Sequence, residues 1–260
     1  MKMLKNIAQF FGSVNGKVLI LSVVLVFVLA FANAQRNQLK HGTTIVKVEE
    51  GTGKNLVAVH DVLDDVYTIT GNELGTTKST DFSAKEVEDK IEQNAFVYNA
   101  TCFKELNGNM RVEIDPQEPV LRIIPKNGEG YYINAQGQKF KLSNKYAAHV
   151  LVASGNISEP IYPTDSLKTE TLQDLYVLTQ FIANDAILKG LVGQIIVDEH
   201  NDLVLVTKNI ETQRIILGDI TNLENKVTRL KTFYQKVLSV KGWGVYKTIN
   251  LKFNNQIVAK

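Results

Sequence analysis

The sequence predicts an α+β protein: an N-terminal transmembrane helix, a small βααββ domain, and a β-rich domain with covering helices. Three observations predict it. An uncharged apolar run, Val18 to Ala34, lies near the start of the chain. A stretch with apolar residues at three- and four-residue spacing, and then a capping-box signal for a second helix, follow a short β-branched run, Thr43 to Val48. From Pro119 onward, short strand-like runs alternate with turn-forming clusters such as Asn127-Gly128. With 260 residues, 44% of them hydrophobic, the chain can fill one or two domain cores.

The run 18–34 is at the short end of what spans a bilayer, and Lys17 and Arg36, which bracket it, can snorkel to the interfaces. Two fates are open to it. Ala32-Asn33-Ala34 has the small-x-small form that signal peptidases accept. Against cleavage, residues 1–17 are long for a signal n-region, and Met3, Leu4, Ile7, Phe10, Phe11 and Val14 fall on one face of an interfacial helix. A retained anchor is the expectation, with 1–17 as a cytoplasmic tail and 35–42 as a polar stalk. Lys2, Lys5 and Lys17 on one side nearly balance Arg36, Lys40 and Lys47 on the other. A short basic N-terminus before a large domain usually stays inside, so residues 35–260 are placed outside the cytoplasm.

The first outer domain is expected over 43–115. After the strand Thr43 to Val48, Val62, Leu63, Val66 and Tyr67 give the segment 59–67 one buried helical face. The next helix starts at a capping box, Ser83 with Glu86, and Phe82 is placed to staple onto Val87. Strands at 96–103 and 110–114 then meet at the turn Asn107-Gly108-Asn109. Pro116 and Pro119 interrupt the ladder and mark the boundary to a second domain, 116–260. Its strands 120–124, 131–133 and 138–142 read most simply as a meander, covered by a helix at 172–183 through Leu172, Leu175, Tyr176, Thr179 and Ile182. A hairpin, 195–197 and 203–207, flanks the polar loop Asp198 to Asp202, and a strand at 214–217 follows. Thr221 with Glu224 forms a second capping box before a helix striped by Leu223, Val227, Leu230, Tyr234 and Val237. Two last strands, Val245 to Phe253 and Gln256 to Ala259, bring the chain to a sheet edge.

Composition narrows the function classes. A net charge of +2 lacks the concentrated basic surface of a nucleic-acid binder, and the lone Cys102 excludes both an internal disulfide framework and a multi-thiolate zinc site. Gly51-Thr52-Gly53-Lys54 has the flavour of a phosphate loop, but Val48 and Asn55 stand where a Walker motif needs glycine and a hydroxyl, so a permissive turn is expected. The loop Asp198 to Asp202 lacks the glycine spacing of calcium loops and is read as a solvated hairpin tip. His60 with Asp61, Asp64 and Asp65 makes a charged exposed helix face, His149 a satisfied structural residue, and Cys102 a small packed hydrophobe. No catalytic residue, cofactor or metal is expected.

Several stretches together resemble one family, the bacterial cell-division protein FtsQ, also called DivIB. Phe31-Ala32-Asn33-Ala34-Gln35 is similar to the exit of its anchor, and 43–114, ending Glu92-Gln93-Asn94-Ala95-Phe96-Val97 before the second strand, to its POTRA domain, with Ala95 where proline is common. Pro119-Val120-Leu121-Arg122-Ile123, Gly130-Tyr131-Tyr132-Ile133-Asn134 with Gly137, and Leu142-Ser143 with Tyr146 resemble the opening of its β domain. Gly242-Trp243, Tyr246, Ile249-Asn250-Leu251-Lys252-Phe253 and Gln256-Ile257-Val258 resemble its closing strands, with Lys252 in place of a common arginine.

The resemblance implies a non-enzymatic scaffold at the division septum. It would link early and late division proteins from the inner membrane, with its bulk in the periplasm. FtsB/FtsL-like proteins and other divisome components are the implied partners, FtsB at the last strands. The implied site comprises Tyr246, Thr248, Asn250, Leu251, Lys252, Phe253, Gln256 and Ile257. Strand addition suits such an edge, because backbone N–H and C=O groups pair and alternate side chains select. Tyr246, Thr248, Asn250 and Lys252 would share one strand face, and Ile249, Leu251 and Phe253 the other, which faces the core. Two other readings stay open: a POTRA-bearing chaperone or assembly factor of the envelope, and an exported enzyme released at Ala34.

Overall fold

The computed structural model describes residues 14–36, 43–71, 83–107, 109–163, 166–208 and 213–260. Contacts divide the chain into two units: one runs to Glu49 and includes Ala58–Asp115, and the other comprises Glu50–Val57 and Pro116–Lys260. Helix α1, Val14–Arg36, precedes the first sheet. At about 1.5 Å per residue it is roughly 35 Å long, and its window Lys17–Ala34 has a mean hydropathy of 2.4. It is long and apolar enough to cross a membrane. The expected interfacial face over Met3 to Phe11 lies outside the described residues.

The first unit is the predicted βααββ domain. Strand β1 (Thr44–Val48) is followed by helices α2 (Val59–Thr70) and α3 (Ala84–Ile91) and by strands β2 (Val97–Lys104) and β3 (Met110–Pro116). The sheet order is β1-β3-β2, with β1 parallel to β3 and Val46 opposite Val112. Met110, Val112 and Ile114 of β3 are fully buried while Arg111 and Asp115 are exposed, so one face of the sheet is covered. Val62, Val66, Val87 and Ile91 of the two helices are buried with them. The first capping box forms as read: Ser83 Oγ accepts from Glu86 N, and Ser83 N donates to Glu86 Oε2, both at 2.9 Å. Phe82 and Gly108 lie outside the described residues.

The second unit is a mixed sheet of nine strands in the order β12-β11-β10-β9-β8-β7-β4-β5-β6. Its strands are β4 (Pro119–Ile124), β5 (Tyr131–Asn134), β6 (Lys139–Lys141), β7 (Leu151–Gly155), β8 (Val192–Val197), β9 (Leu203–Thr207), β10 (Arg214–Gly218), β11 (Thr248–Asn250) and β12 (Val258–Ala259). The expected meander β4-β5-β6 is present, but it is not a separate sheet. The segment Leu151–Gly155, for which the sequence predicts no strand, is parallel to both β4 and β8 and joins the two halves. Gly155 makes that join possible. At its φ of 103° an added Cβ would lie 2.1 Å from the Val197 carbonyl oxygen.

Helices α4 (Glu170–Asn184), α5 (Ala186–Leu191) and α6 (Leu223–Phe233) cover the sheet. Leu172, Leu175, Leu178 and Ile182 share one core with Leu121, Ile195, Leu205, Ile215 and Ile249. Two helical expectations are corrected. The Thr221–Glu224 capping box does not form: the cap is Asn222, in the left-handed region at φ 54° and without a side-chain bond. Asp219 organises the turn instead, accepting from Thr221 N at 3.1 Å and from Lys226 Nζ at 2.7 Å. Further along, α6 passes into a π-helical turn, Tyr234–Leu238. The extra residue per turn rotates the stripe by one position, so Leu238 is fully buried where Val237 had been expected.

A buried ion pair holds the other end of the sheet. Lys139 Nζ of β6 donates to Glu159 Oε1 at 2.8 Å, with side chains 0% and 4% exposed. Glu159 also accepts from Lys168 N at 3.0 Å and from Thr169 N and Oγ1, each at 2.7 Å. Burial alone would raise the Glu159 pKa, but the Lys139 ammonium and these donors outweigh it and hold it down at about 2. Thr169 in turn caps α4, so the pair fixes both the connecting segment and a helix start.

Candidate interaction site at the sheet edge

An edge strand can accept a partner only where its outward backbone groups are unoccupied. In the first unit, β2 is an edge, but its Ala100 and Cys102 N–H groups donate to Glu92 Oε1 at 3.2 Å and Glu88 Oε1 at 2.7 Å. Acidic side chains from α3 and the residue after it thus occupy that edge. Cys102 beneath is buried, and burial with the nearby Glu88 carboxylate pushes its thiol up to about 11, so it packs and does not attack.

In the second unit the edge strand at one end is β12, antiparallel to β11, with Ile249 opposite Ala259 and Asn250 opposite Val258. Thr248 and Lys260 exchange both backbone bonds, N to O at 3.0 and 2.9 Å. Antiparallel alternation then turns the N–H and C=O of Ala259 away from β11, toward the open edge. Among the described residues no strand pairs with that side.

The eight expected site residues gather around this edge but not on two long strands. Only Thr248 and Asn250 lie in β11, which is three residues long, and none lies in β12. The expected strands 245–253 and 256–259 are corrected to 248–250 and 258–259. The backbone on either side is bonded elsewhere. Gln213 Nε2 donates to the Tyr246 carbonyl at 2.8 Å and the Trp243 carbonyl at 3.3 Å. Arg229 Nη1 donates to the carbonyls of Phe253 at 2.8 Å and Gln256 at 2.7 Å, and its Nη2 to that of Leu251 at 3.1 Å.

The side chains divide accordingly. Leu251 is fully buried, its N–H on the Ile216 carbonyl at 2.9 Å, so it belongs to the core and offers a partner no surface. Phe253 was expected on the same inward face and is instead 46% exposed, because the chain leaves the strand after Asn250. Tyr246 is half-buried against Phe233, ring centroids 5.7 Å apart, and Ile257 is half-buried at the rim of the core. Asn250 Oδ1 accepts from Lys252 N at 2.9 Å, and the Lys252 ammonium pairs with Asp202, which raises its pKa. Gln256 is exposed. Beside these residues runs a groove of about 350 Å³ lined by Thr228, Arg229, Phe233, Val237, Gln256 and Ile257.

Sequence reading took the backbone of 245–259 as the pairing edge and missed two parts of this site: the side chains Gln213 and Arg229, and a skew of charge. Residues 226–260 contain eight Lys or Arg and no Asp or Glu, whereas the first 225 residues hold all 27 acidic residues against 21 basic ones. A simple count along the chain would have found it. In space the skew is partly neutralised, because Lys226 pairs with Asp219, Lys231 with Asp185 and Lys252 with Asp202.

Several of the chemical motifs have partners within the chain itself. The Gly51–Lys54 turn does bind an anion, but that anion is the chain's own Glu118: Thr52 N donates to Oε2 at 3.0 Å and Gly53 N to Oε1 at 3.4 Å. Its glycines serve close approach, since a Cβ on Gly53 would lie 1.8 Å from the Gln117 carbonyl oxygen. Gly53 itself has an ordinary φ of −88°, so permissive backbone is not the reason for glycine there. In the Asp198–Asp202 loop, Asp198 Oδ1 accepts from the N–H groups of His200 and Asp202, a tip that closes on itself. His60 pairs with Asp64 on an exposed helix face, and His149, expected to be structurally satisfied, is exposed. Among the described residues no group of three or more His, Cys, Asp or Glu is placed to hold a metal.

Residues 118–260 match the family described as FtsQ/DivIB, C-terminal related. No curated protein matches the chain in sequence.

Proposed function

The chain belongs to the FtsQ/DivIB, C-terminal related family, matched over residues 118–260, and from that membership we propose that it is a non-enzymatic scaffold of bacterial division. In this reading α1 is a retained inner-membrane anchor, with 1–17 cytoplasmic and 35–260 in the periplasm at the septum. Residues 43–115 serve as a POTRA domain and 116–260 as the partner-binding β domain. An FtsB/FtsL-like protein adds a strand to β12, and other divisome components are recruited alongside.

One observation carries the proposal: in a chain of this family, the C-terminal strand of the large sheet directs backbone N–H and C=O to an open edge. Strand addition there needs only main-chain geometry. Phe253 and Gln256 stand exposed beside the edge to select the incoming side chains. Leu251 acts only as packing beneath.

The test is a fluorescent fusion to the N-terminal tail in dividing cells, alongside a depletion strain. Midcell signal with filamentous growth on depletion is expected. An even envelope signal with normal division would remove the division role, and an envelope chaperone would become the better reading.

A further inference from the structure

Strand β11 is held on one side by parallel pairing with β10, but β11 and β12 are both short. One has three residues and the other two, and the chain is irregular on both sides of β11. Two side chains from outside this segment hold those irregular parts. Gln213 is fully buried, and its amide makes three bonds: Oε1 accepts from the Tyr234 hydroxyl, and Nε2 donates to the Trp243 and Tyr246 carbonyls just before β11. Arg229 closes the other end. Its guanidinium donates to the Leu251, Phe253 and Gln256 carbonyls and, through Nε, to Asn225 Oδ1 at 3.0 Å. The planar fork spans three carbonyls of one loop, which a lysine ammonium on its flexible stem does not reproduce. That loop sets the return of the chain, and with it the pairing of Ile249 with Ala259.

We infer that Gln213 and Arg229 are positioning residues for partner binding: by pinning the entry to β11 and the β11–β12 loop, they hold β12 as a preformed edge that an incoming strand can pair with. The inference rests on the edge reading proposed above. If the edge is only fractionally formed, apparent affinity falls by that fraction, so releasing the loop weakens capture without removing any contact to the partner.

The test compares the full-length detergent-solubilised chain with Arg229→Lys, which keeps the charge, and with Arg229→Gln. Gln213 is buried and its substitution risks the core, so Arg229 carries the test. Amide hydrogen exchange at Thr248 and Lys260 is read against Leu205 in the core, and capture is measured with the FtsB-like protein of the same genome. In both variants, exchange at Thr248 and Lys260 should rise at least about tenfold with Leu205 unchanged, and capture should weaken by a similar factor. Unchanged exchange at Thr248 and Lys260 would overturn the inference. So would faster exchange with undiminished capture. Wild-type capture that Ala259→Pro abolishes but Arg229→Lys leaves intact overturns the positioning role while sparing the edge reading. No capture by the wild-type chain overturns both.

Discussion

Replacing Lys139 with methionine should destabilise the second unit while leaving its shape intact. The side chain is fully buried, and its ammonium meets Glu159 Oε1 at 2.8 Å and the Pro160 carbonyl at 3.1 Å. Methionine fills the stem's space, so packing is kept. The Glu159 carboxylate keeps its bonds from Lys168 and Thr169 but loses its counter-charge while 4% exposed. Breaking one side of such a buried pair costs about 3–5 kcal/mol.

The same network sets an acid dependence. The Glu159 carboxyl, ordinarily at 4.5, sits at about 2 in the folded chain. A depressed carboxylate contributes stability that is complete above its unfolded pKa and is lost as pH falls from about 4.5 through about 2. The difference corresponds to roughly 3 kcal/mol at neutral pH, in line with the pair-breaking range. Denaturant unfolding of the full chain, followed by the fluorescence of its single tryptophan, Trp243, measures both effects. Glu159→Gln should be less stable than the wild type at pH 7, with the gap narrowing between pH 5 and pH 2. A Lys139→Met variant within about 0.5 kcal/mol of the wild type, or a Glu159→Gln gap that does not change with pH, would refute the reasoning.

Three further outcomes are expected. Phe253→Arg, at a side chain 46% exposed, should keep the melting temperature within about 2 °C while reducing capture of the proposed FtsB-like partner in pull-down by at least about tenfold. Ser83→Ala removes one half of the observed capping box and should cost the first unit about 1 kcal/mol in thermal unfolding. Gly155→Ala forces a Cβ to within 2.1 Å of the Val197 carbonyl at a positive φ, and should part β7 from β8 at a cost above about 2 kcal/mol in denaturant titration.

What was legible in the sequence was what is encoded locally. Ser83 and Glu86 write a helix start in four consecutive residues, and Leu172, Leu175 and Ile182 write a buried face at helical spacing. What was lost depends on residues distant in the chain. Leu151–Gly155 becomes a strand only because β4 and β8 flank it, and a short apolar run carries no period to announce that. Thr221 and Glu224 have the right spacing for a box, yet Asp219 and Lys226 organise the turn first. Lys139 looks like any surface lysine until Glu159 meets it.

The candidate site follows the same rule. The edge position of the last strand was foreseen from the chain's closing strand pattern, whereas its length was not. Arg229 and Gln213 bond the backbone carbonyls on either side of β11, and no local feature of 245–259 mentions them. The alternation rule therefore held at Ile249 and Leu251, both fully buried, and failed at Phe253, one step beyond the regular backbone.

The central claim is that a partner strand pairs with the open side of β12. Site-resolved amide exchange of the full chain, with and without the FtsB-like protein of the same genome, tests it most directly. The Ala259 amide, directed outward in the free chain, should become strongly protected when the partner is added, with no matching change at Ala100 and Cys102 on the carboxylate-covered edge of β2. Protection appearing at β2 or on the helices, with Ala259 exchanging as before, would contradict strand addition at β12.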